Sequence, residues 1–141
     1  MRRFVRNGAG ALLLLAFAAC SDTTGPQSVA AARTLWESQQ LNTYTYFGSR
    51  ACFCGGPNGQ VRVDVSGGLV TSVWDQTTNT RLSTMGWLTV DQLFDLAESA
   101  HPEVLEFDGR LGFPRKMERR AADDTWFIYT ISSVVQLNVP N

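Results

Sequence analysis

The chain has 141 residues, and its 12 Lys and Arg residues against 13 Asp and Glu residues give a formal net charge of −1 at pH 7. Arg2, Arg3 and Arg6 lie at the N-terminus, so the rest of the chain carries nine basic and thirteen acidic residues, a net charge of −4. This acidic balance argues against a nucleic-acid partner. The length after the N-terminal region is that of one domain.

The basic N-terminus is followed by an apolar run from Ala9 to Ala19 that is too short to span a bilayer as a stable helix. Its flanks are typical of a secretory signal. Cys20 follows Ala18 and Ala19 directly, which resembles a bacterial lipobox, although Phe17 stands where such boxes usually carry Leu. We therefore predict that residues 1–19 are a signal peptide with a lipobox and that Cys20 is the lipidation site. The alternative is an ordinary signal peptide cleaved after Ala19, which leaves Cys20 as a thiol.

The predicted acylated Cys20 begins a polar segment, residues 20–27, whose Gly-Pro break indicates a flexible tether. Acyl chains on one cysteine hold a protein to a membrane surface without spanning it. We expect an exported protein, lipid-anchored in the cell envelope and facing the periplasm. Ser21 resembles an outer-membrane address. Residues 28–141 are expected to form a single domain.

The first half of this domain begins with a predicted helix, "VAAARTLWESQQ", for which Ser28 is the N-cap. Arg33 and Glu37 have the i, i+4 spacing of an ion pair. The aromatic, Thr-rich segment "TYTYFGSRACFC" predicts a strand. The segment "VRVDVSGGLVTSVW" predicts a hairpin, because its valines alternate with Arg62 and Asp64 and Gly67-Gly68 suits a tight turn.

The second half begins with a polar connector and then a predicted helix, for which Thr89 and Gln92 form a capping box. His101-Pro102 ends this helix. Three extended segments follow, "EVLEF", "GFPRKMERR" and "TWFIYTISSVVQL", and the last is expected to be central in the sheet.

The order of elements predicts an α+β fold, an antiparallel sheet of about five to six strands with two helices packed on one face. We read this order as αβββαβββ. Both halves run from a helix through an aromatic strand and a Gly-rich break to further strands, which raises the possibility of an internal duplication.

Several segments together resemble domain-of-unknown-function family 6174, a family of bacterial exported proteins and lipoproteins. They are "LW…Y.Y", "CFC", "VRVDVSGGLVTSV", "TVDQLFDLAESA" and "FDGRLGFPRKM". The resemblance extends from about Leu35 to Ile131. It implies a shared fold and an envelope location, but no established activity and no catalytic residue. Gly109 stands where many relatives have Pro, a change that a turn absorbs.

Cys52 and Cys54 are the candidate disulfide or thiol site. If Cys20 is acylated, they are the two remaining thiols, in a compartment where thiols tend to pair. In a regular strand their Cα atoms would lie about 6.6 to 6.8 Å apart, at the upper limit for a disulfide. The bond therefore requires the chain to tighten at Phe53, as at a bulge or turn. A structural clip is favoured, with redox or copper chemistry and two free thiols as the alternatives.

Other chemistry has less support. Zinc needs more ligands than Cys52, Cys54 and the single His101 provide. The position of His101 at a helix end explains it without catalysis. The carboxylate pairs Asp91/Asp95 and Asp123/Asp124 are typical of solvated surface. We therefore expect no catalytic residue, no metal and no cofactor.

The basic residues Arg115, Lys116, Arg119 and Arg120 are the one concentrated charge of the domain. They are candidates for contact with a membrane surface or a partner. A charged edge strand has the same pattern, and we favour that interpretation.

Most of the aromatic residues are expected in the core of so small a domain. Trp74 and Trp87, which flank the polar connector, are the two expected to be exposed. The sequence therefore favours a non-enzymatic envelope lipoprotein that binds or stabilises an unknown envelope partner or ligand. The alternatives are a redox or copper-handling protein acting through Cys52 and Cys54, and an inhibitor or ligand-binding module that uses an open sheet face.

Overall fold

The computed structural model describes residues 25–52, 59–121 and 125–137. They form two helices and seven strands in chain order: α1 (Val29–Ser38), β1 (Thr43–Cys52), β2 (Val61–Ser66), β3 (Leu69–Asp75), β4 (Arg81–Leu82), α2 (Val90–Ala100), β5 (Val104–Phe107), β6 (Pro114–Arg119) and β7 (Phe127–Gln136).

All seven strands belong to one antiparallel sheet with the order β4-β3-β2-β1-β7-β6-β5. The predicted α+β class is confirmed, but the prediction of five to six strands in the order αβββαβββ is wrong. The additional strand is β4, which lies in the predicted polar connector. It is two residues long and pairs with Val73 and Trp74 of β3, so its partner rather than its own sequence makes it a strand.

The strand directions contradict an internal duplication. Across the sheet, each half places its third, second and first strand in the same order, β3-β2-β1 and then β7-β6-β5. Because all neighbours are antiparallel, each strand of the second half runs opposite to its counterpart in the first. One half of the sheet could match the other only after a half-turn about the axis that runs across the strands, because this rotation reverses the strand directions and keeps the strand order. The same half-turn exchanges the two faces of the sheet, so a duplication would place the two helices on opposite faces. Both helices instead contact the same residue, Tyr44.

The helix boundaries follow from the caps that the sequence predicts. The Ser28 hydroxyl accepts the Ala31 N–H at the start of α1, and Thr89 and Gln92 form the complete capping box of α2. His101 is the C-cap of α2 in the left-handed conformation, with φ 48°. The predicted ion pair of Arg33 with Glu37 is not the one formed. Arg33 instead lies 2.7 Å from Asp95 and 3.5 Å from Glu98, and so connects α1 to α2.

The two helices pack on one face of the sheet, which we call the helix-covered face. Trp36 of α1 meets Tyr44 of β1 edge to face, with ring centroids 5.1 Å apart. The Tyr44 hydroxyl accepts the Val90 N–H at 2.9 Å, and the Tyr46 hydroxyl donates to the Leu88 carbonyl at 2.8 Å. Burial raises the pKa of both phenols above the ordinary value, so both hydroxyls stay protonated at physiological pH.

The apolar positions of the hairpin also face the helices. Val61, Val63 and Val65 of β2 are buried, and Gly67 and Gly68 both have the positive φ angles of a tight hairpin turn. Strand β7 lies between β1 and β6, so its predicted central position is confirmed. The opposite face of the sheet, which neither helix covers, is called the open face below.

Candidate binding site

The open face carries two neighbouring rows of side chains, because strand register aligns residues from β1, β2 and β3. In the first row, Thr45 pairs with Asp64 and Asp64 pairs with Ser72, while Val135 of β7 lies on the other side of Thr45. Alternation along the strands places the second row two residues away. There Phe47 pairs with Arg62, and Arg62 pairs with Trp74.

Asp64 is the centre of a hydrogen-bonded network in the first row. The Thr45 hydroxyl donates to Oδ1 at 2.7 Å, and the Ser72 hydroxyl donates to Oδ2. The Trp74 indole N–H donates to the Ser72 hydroxyl at 3.1 Å. Two hydroxyls therefore fix the orientation of a carboxylate whose side chain is 21% exposed.

Arg62 lies next to this carboxylate and beside an aromatic ring. Its Nη2 donates to Asp64 Oδ2 at 3.4 Å, and its guanidinium carbon is 5.3 Å from the Trp74 ring centroid. Its Nε is buried, lies 3.4 Å from Asp64 Oδ1 and has no hydrogen-bond partner among the described residues. The side chain as a whole is 38% exposed. One edge of the guanidinium thus faces Asp64, and none of the described residues accepts a hydrogen bond from the other edge.

A groove of about 530 Å³ follows these rows across the open face. This volume is within the usual range for small-molecule sites. Its apolar lining comes from Phe47, Val135 and Leu137. Its polar lining consists of Thr45, Arg62, Asp64, Thr71 and Ser72. Val135 is 49% exposed and Leu137 is 43% exposed. The groove therefore combines an apolar wall with a charged, preorganised centre.

The two tryptophans that were expected to be exposed differ. Trp74 is half-buried on the open face, where it contacts Arg62. The prediction for Trp87 is wrong, since only 5% of this residue is exposed. Arg50 lies over the Trp87 ring at 4.3 Å, and its Nη1 donates to the Gly86 carbonyl. The connector before α2 is thus packed onto the sheet by a residue from β1.

The predicted basic cluster, of which Arg120 directly follows β6, is divided between the two faces of the sheet. The edge-strand interpretation is wrong, because β6 lies between β7 and β5. Alternation separates Arg115 and Arg119 from Lys116 and Arg120. The latter two surround buried Glu118, with Lys116 Nζ at 3.5 Å from Oε2 and Arg120 Nε donating to Oε1. Contact of the cluster with a membrane stays a prediction.

Glu118→Gln tests this ion-pair network through pH. The hydrogen bond and charge of Arg120, helped by Lys116, lower the pKa of Glu118 below its ordinary value. Ionised Glu118 therefore stabilises the fold above the unfolded pKa of about 4.3, and this contribution disappears as pH falls through the folded pKa. We expect the variant to be less stable than the wild type at pH 7 and the difference to shrink progressively as pH falls below about 4.3, as measured by urea unfolding. Glu37→Gln, at an exposed position of α1, is the control. A difference that is the same at pH 7 and pH 3 would contradict the assignment.

Cys52 is the last residue of β1, opposite Phe127 of β7. Cys20 and Cys54 lie outside the described residues, as do Asp123 and Asp124.

No group of three or more His, Cys, Asp and Glu side chains in the described parts of the chain is arranged to hold a metal ion. His101 is exposed at the end of α2. Within residues 25–52, 59–121 and 125–137, no helix is long and apolar enough to cross a membrane.

The segment from Asp108 to Pro114, which carries much of the family resemblance, has a structural role. The Asp108 carboxylate accepts the N–H groups of Arg110 and Leu111 at 3.0 and 2.7 Å. Phe113 is buried in the core. This turn joins β5 to β6, and the groove is lined by other residues.

Sequence reasoning singled out Trp74 as a site residue and placed Arg62 and Asp64 on the solvent-exposed side of β2. It missed the other residues of the groove, Thr45, Phe47, Thr71, Ser72, Val135 and Leu137. Period-two alternation in β1 was the available signal, because it places Thr45 and Phe47 opposite Tyr44 and Tyr46.

Comparison with curated proteins and with solved structures found no match. A family model does match, over residues 28–136, and its description is a family of unknown function, DUF6174. The match covers all nine helices and strands that the structure describes. The resemblance of the sequence segments is thereby confirmed, and the chain belongs to the DUF6174 family.

Proposed function

We propose that this protein is a membrane-anchored cell-envelope lipoprotein whose domain is a non-enzymatic binding module, with its ligand site in the open-face groove. The observation that carries the proposal is the groove itself. It combines exposed apolar side chains, Val135 and Leu137, with a carboxylate that two hydroxyls already orient. Preorganised polar groups beside an apolar wall are the usual composition of a small-molecule site.

The anchoring part of the proposal is supported by the sequence before the domain. The apolar run that ends at Ala19 and the cysteine directly after it match the lipid-attachment route. The tether to Gln27 would leave the domain at the membrane surface. The mass of the chain isolated from membranes tests this, because acylation of Cys20 adds the mass of its acyl chains, whereas the mass of an unmodified cysteine would contradict it.

The cysteine pair is proposed as a structural clip within this module. Cys52 is disulfide-bonded, which supports the clip over free thiols, and Cys54 is the proposed partner. Clipping the end of β1 at this point would keep the strand paired with β7. Alkylation before reduction, followed by mass measurement, should leave Cys52 and Cys54 unlabelled. Labelling of both without reductant would contradict the clip.

Octanol, a neutral amphiphile, is the probe for the binding function. The chain is exported with Cys20→Ser and titrated with octanol, and dissociation constants are taken from NMR shifts. Val135→Asp places a charge on the apolar wall, and we expect it to weaken octanol binding by at least about tenfold because the carboxylate must be desolvated.

Leu69→Asp is the matched control, because Leu69 is also an exposed apolar residue, 68% exposed, but it begins β3 directly after the hairpin turn and is outside the groove lining. Its affinity should stay within about twofold of the wild type. Absence of saturable octanol binding, or an equal loss in both variants, would contradict the proposed function.

A further inference from the structure

We propose that the groove takes an amphiphile with a carboxylate head and a single apolar chain, and that Arg62 is the residue that binds the head. This inference rests on the proposed function and assigns the chemical class of its ligand. The apolar chain lies against Phe47, Val135 and Leu137, and the carboxylate meets the edge of Arg62 that faces away from Asp64.

The first argument is the unused donor capacity of Arg62. A guanidinium has five N–H donors in a planar fork. The described residues supply one hydrogen-bond acceptor to Arg62, the Asp64 carboxylate at 3.4 Å from Nη2. The buried Nε is not accessible to a ligand, so the outer edge of the fork is what the groove presents. A carboxylate matches that edge with two parallel hydrogen bonds.

The second argument is that the guanidinium is positioned before any ligand arrives. Register places Arg62 between Phe47 and Trp74. The Trp74 ring lies 5.3 Å from the guanidinium carbon, and its indole N–H is held by Ser72. Since a planar guanidinium against an aromatic ring loses little further freedom when it forms hydrogen bonds, the entropy cost of capturing the head group is reduced.

The third argument is the local charge. Arg81 pairs with Trp74 and therefore lies on the same face as Arg62. This half of the open face thus carries Arg62 and Arg81 against Asp64, a local balance of one positive charge. That balance attracts an anionic head group and disfavours a cationic one.

The fourth argument is the position of the apolar wall. Val135 belongs to β7, and Leu137 is the residue directly after that strand. Arg62 belongs to β2, and β1 lies between β2 and β7. Two strand spacings, about 10 Å, separate the charged head from the far wall. Phe47 of β1 fills the space between. A head at Arg62 and a chain directed towards β7 therefore use both halves of the groove.

The test compares three probes that have an unbranched alkyl chain of the same length and differ in the charge of the head group: octanoate, octanol and octyltrimethylammonium. We expect octanoate to bind the wild-type chain about 10-fold to 100-fold more tightly than octanol, the usual range for a charge-assisted hydrogen bond to a partly exposed group. The cation should bind more weakly than octanol. The octanoate preference should fall with added salt.

Arg62→Met keeps the apolar stem and removes the donors. We expect its affinities for octanoate and octanol to become equal, while its affinity for octanol stays within about threefold of the wild type. Arg62→Lys keeps the charge and loses the fork, so it should retain an intermediate preference. Arg110→Met, at an exposed arginine of the β5–β6 turn, should leave the preference unchanged.

The outcomes separate the two proposals. If octanol binds in the groove but octanoate has no advantage, or if Arg62→Met keeps the advantage, the ligand class is overturned and the binding function stands. If neither probe binds, both are overturned. If Arg62→Met loses octanol binding as well, Arg62 supports the groove structurally and its assignment as the head-group receptor is overturned.

Discussion

Gly48→Ala is expected to destabilise the domain by at least about 3 kcal/mol, among the largest effects of a single substitution. Gly48 lies in β1, between β2 and β7, where the register with β7 shifts. A Cβ atom at this position would lie 2.2 Å from the Thr130 carbonyl oxygen. Since that oxygen belongs to the backbone of the neighbouring strand, the clash is relieved only if the two central strands separate.

The register shift explains why the approach is so close. Phe47 pairs with Ser133 and Gly48 with Ile131, so β7 contains one additional residue, Ser132, whose hydroxyl donates to the Phe47 carbonyl at 3.1 Å. Such a bulge bends the strand and increases its twist locally. Gly59→Ala is the control, because a Cβ atom added there would have no atom of the described residues within 4 Å apart from its chain neighbours, and it should change stability by less than about 0.5 kcal/mol. Equal urea midpoints for the two variants would contradict this geometry.

Phe94→Ala is expected to reduce the free energy of unfolding by about 3 to 5 kcal/mol. Phe94 of α2 is fully buried and stacks on Phe107 of β5, with ring centroids 6.2 Å apart. The guanidinium of Arg33 lies 5.4 Å from its centroid. The side chain thus joins both helices to the sheet, and its removal leaves a cavity at their junction. Leu96→Ala, at a half-buried position of the same helix, should have an effect smaller by at least about 1 kcal/mol.

Measuring octanoate affinity distinguishes the loss of stability in Phe94→Ala from a loss of ligand binding. Phe94 lies on the helix-covered face, whereas the groove lies on the open face. At a temperature where Phe94→Ala is still folded, its octanoate affinity should therefore equal that of the wild type. A parallel loss of stability and affinity would show that the open face depends on helix packing, contrary to the proposed independence of the groove.

Local sequence signals predicted the elements whose boundaries depend on local chemistry. Thr89 and Gln92 identified the start of α2, because a capping box needs only residues three apart. The alternation of Val61, Val63 and Val65 identified β2 and its buried face, because period-two burial is a property of one strand. The same alternation placed Arg62 and Asp64 on the open face.

Long-range pairing was not accessible from those signals. Strand β6 was interpreted as an edge because of its charges, yet β5 pairs outside it, and nothing within either segment specifies that order. Trp87 was expected to be exposed because its connector is polar, but Arg50, from a strand distant in sequence, packs over it. Strand β4 is too short for any propensity to identify it.

The candidate site also depends on long-range pairing that local sequence signals do not reveal. Each of Thr45, Asp64 and Ser72 reads alone as an ordinary solvent-facing strand residue. Only the register between β1, β2 and β3 brings their oxygen atoms together. Val135 and Leu137 then add the apolar wall beside β1. The groove is therefore a product of strand order and register across four strands, which one sequence does not specify.

The most direct test of the groove as the ligand site is to measure nuclear Overhauser effects between bound octanoate and the side chains of the protein. The groove assignment predicts contacts from the octanoate chain to Phe47, Val135 and Leu137, with a shift of the Trp74 indole N–H resonance. Contacts to side chains of the helix-covered face, such as Trp87 or Phe94, without contacts to these three residues, would contradict it.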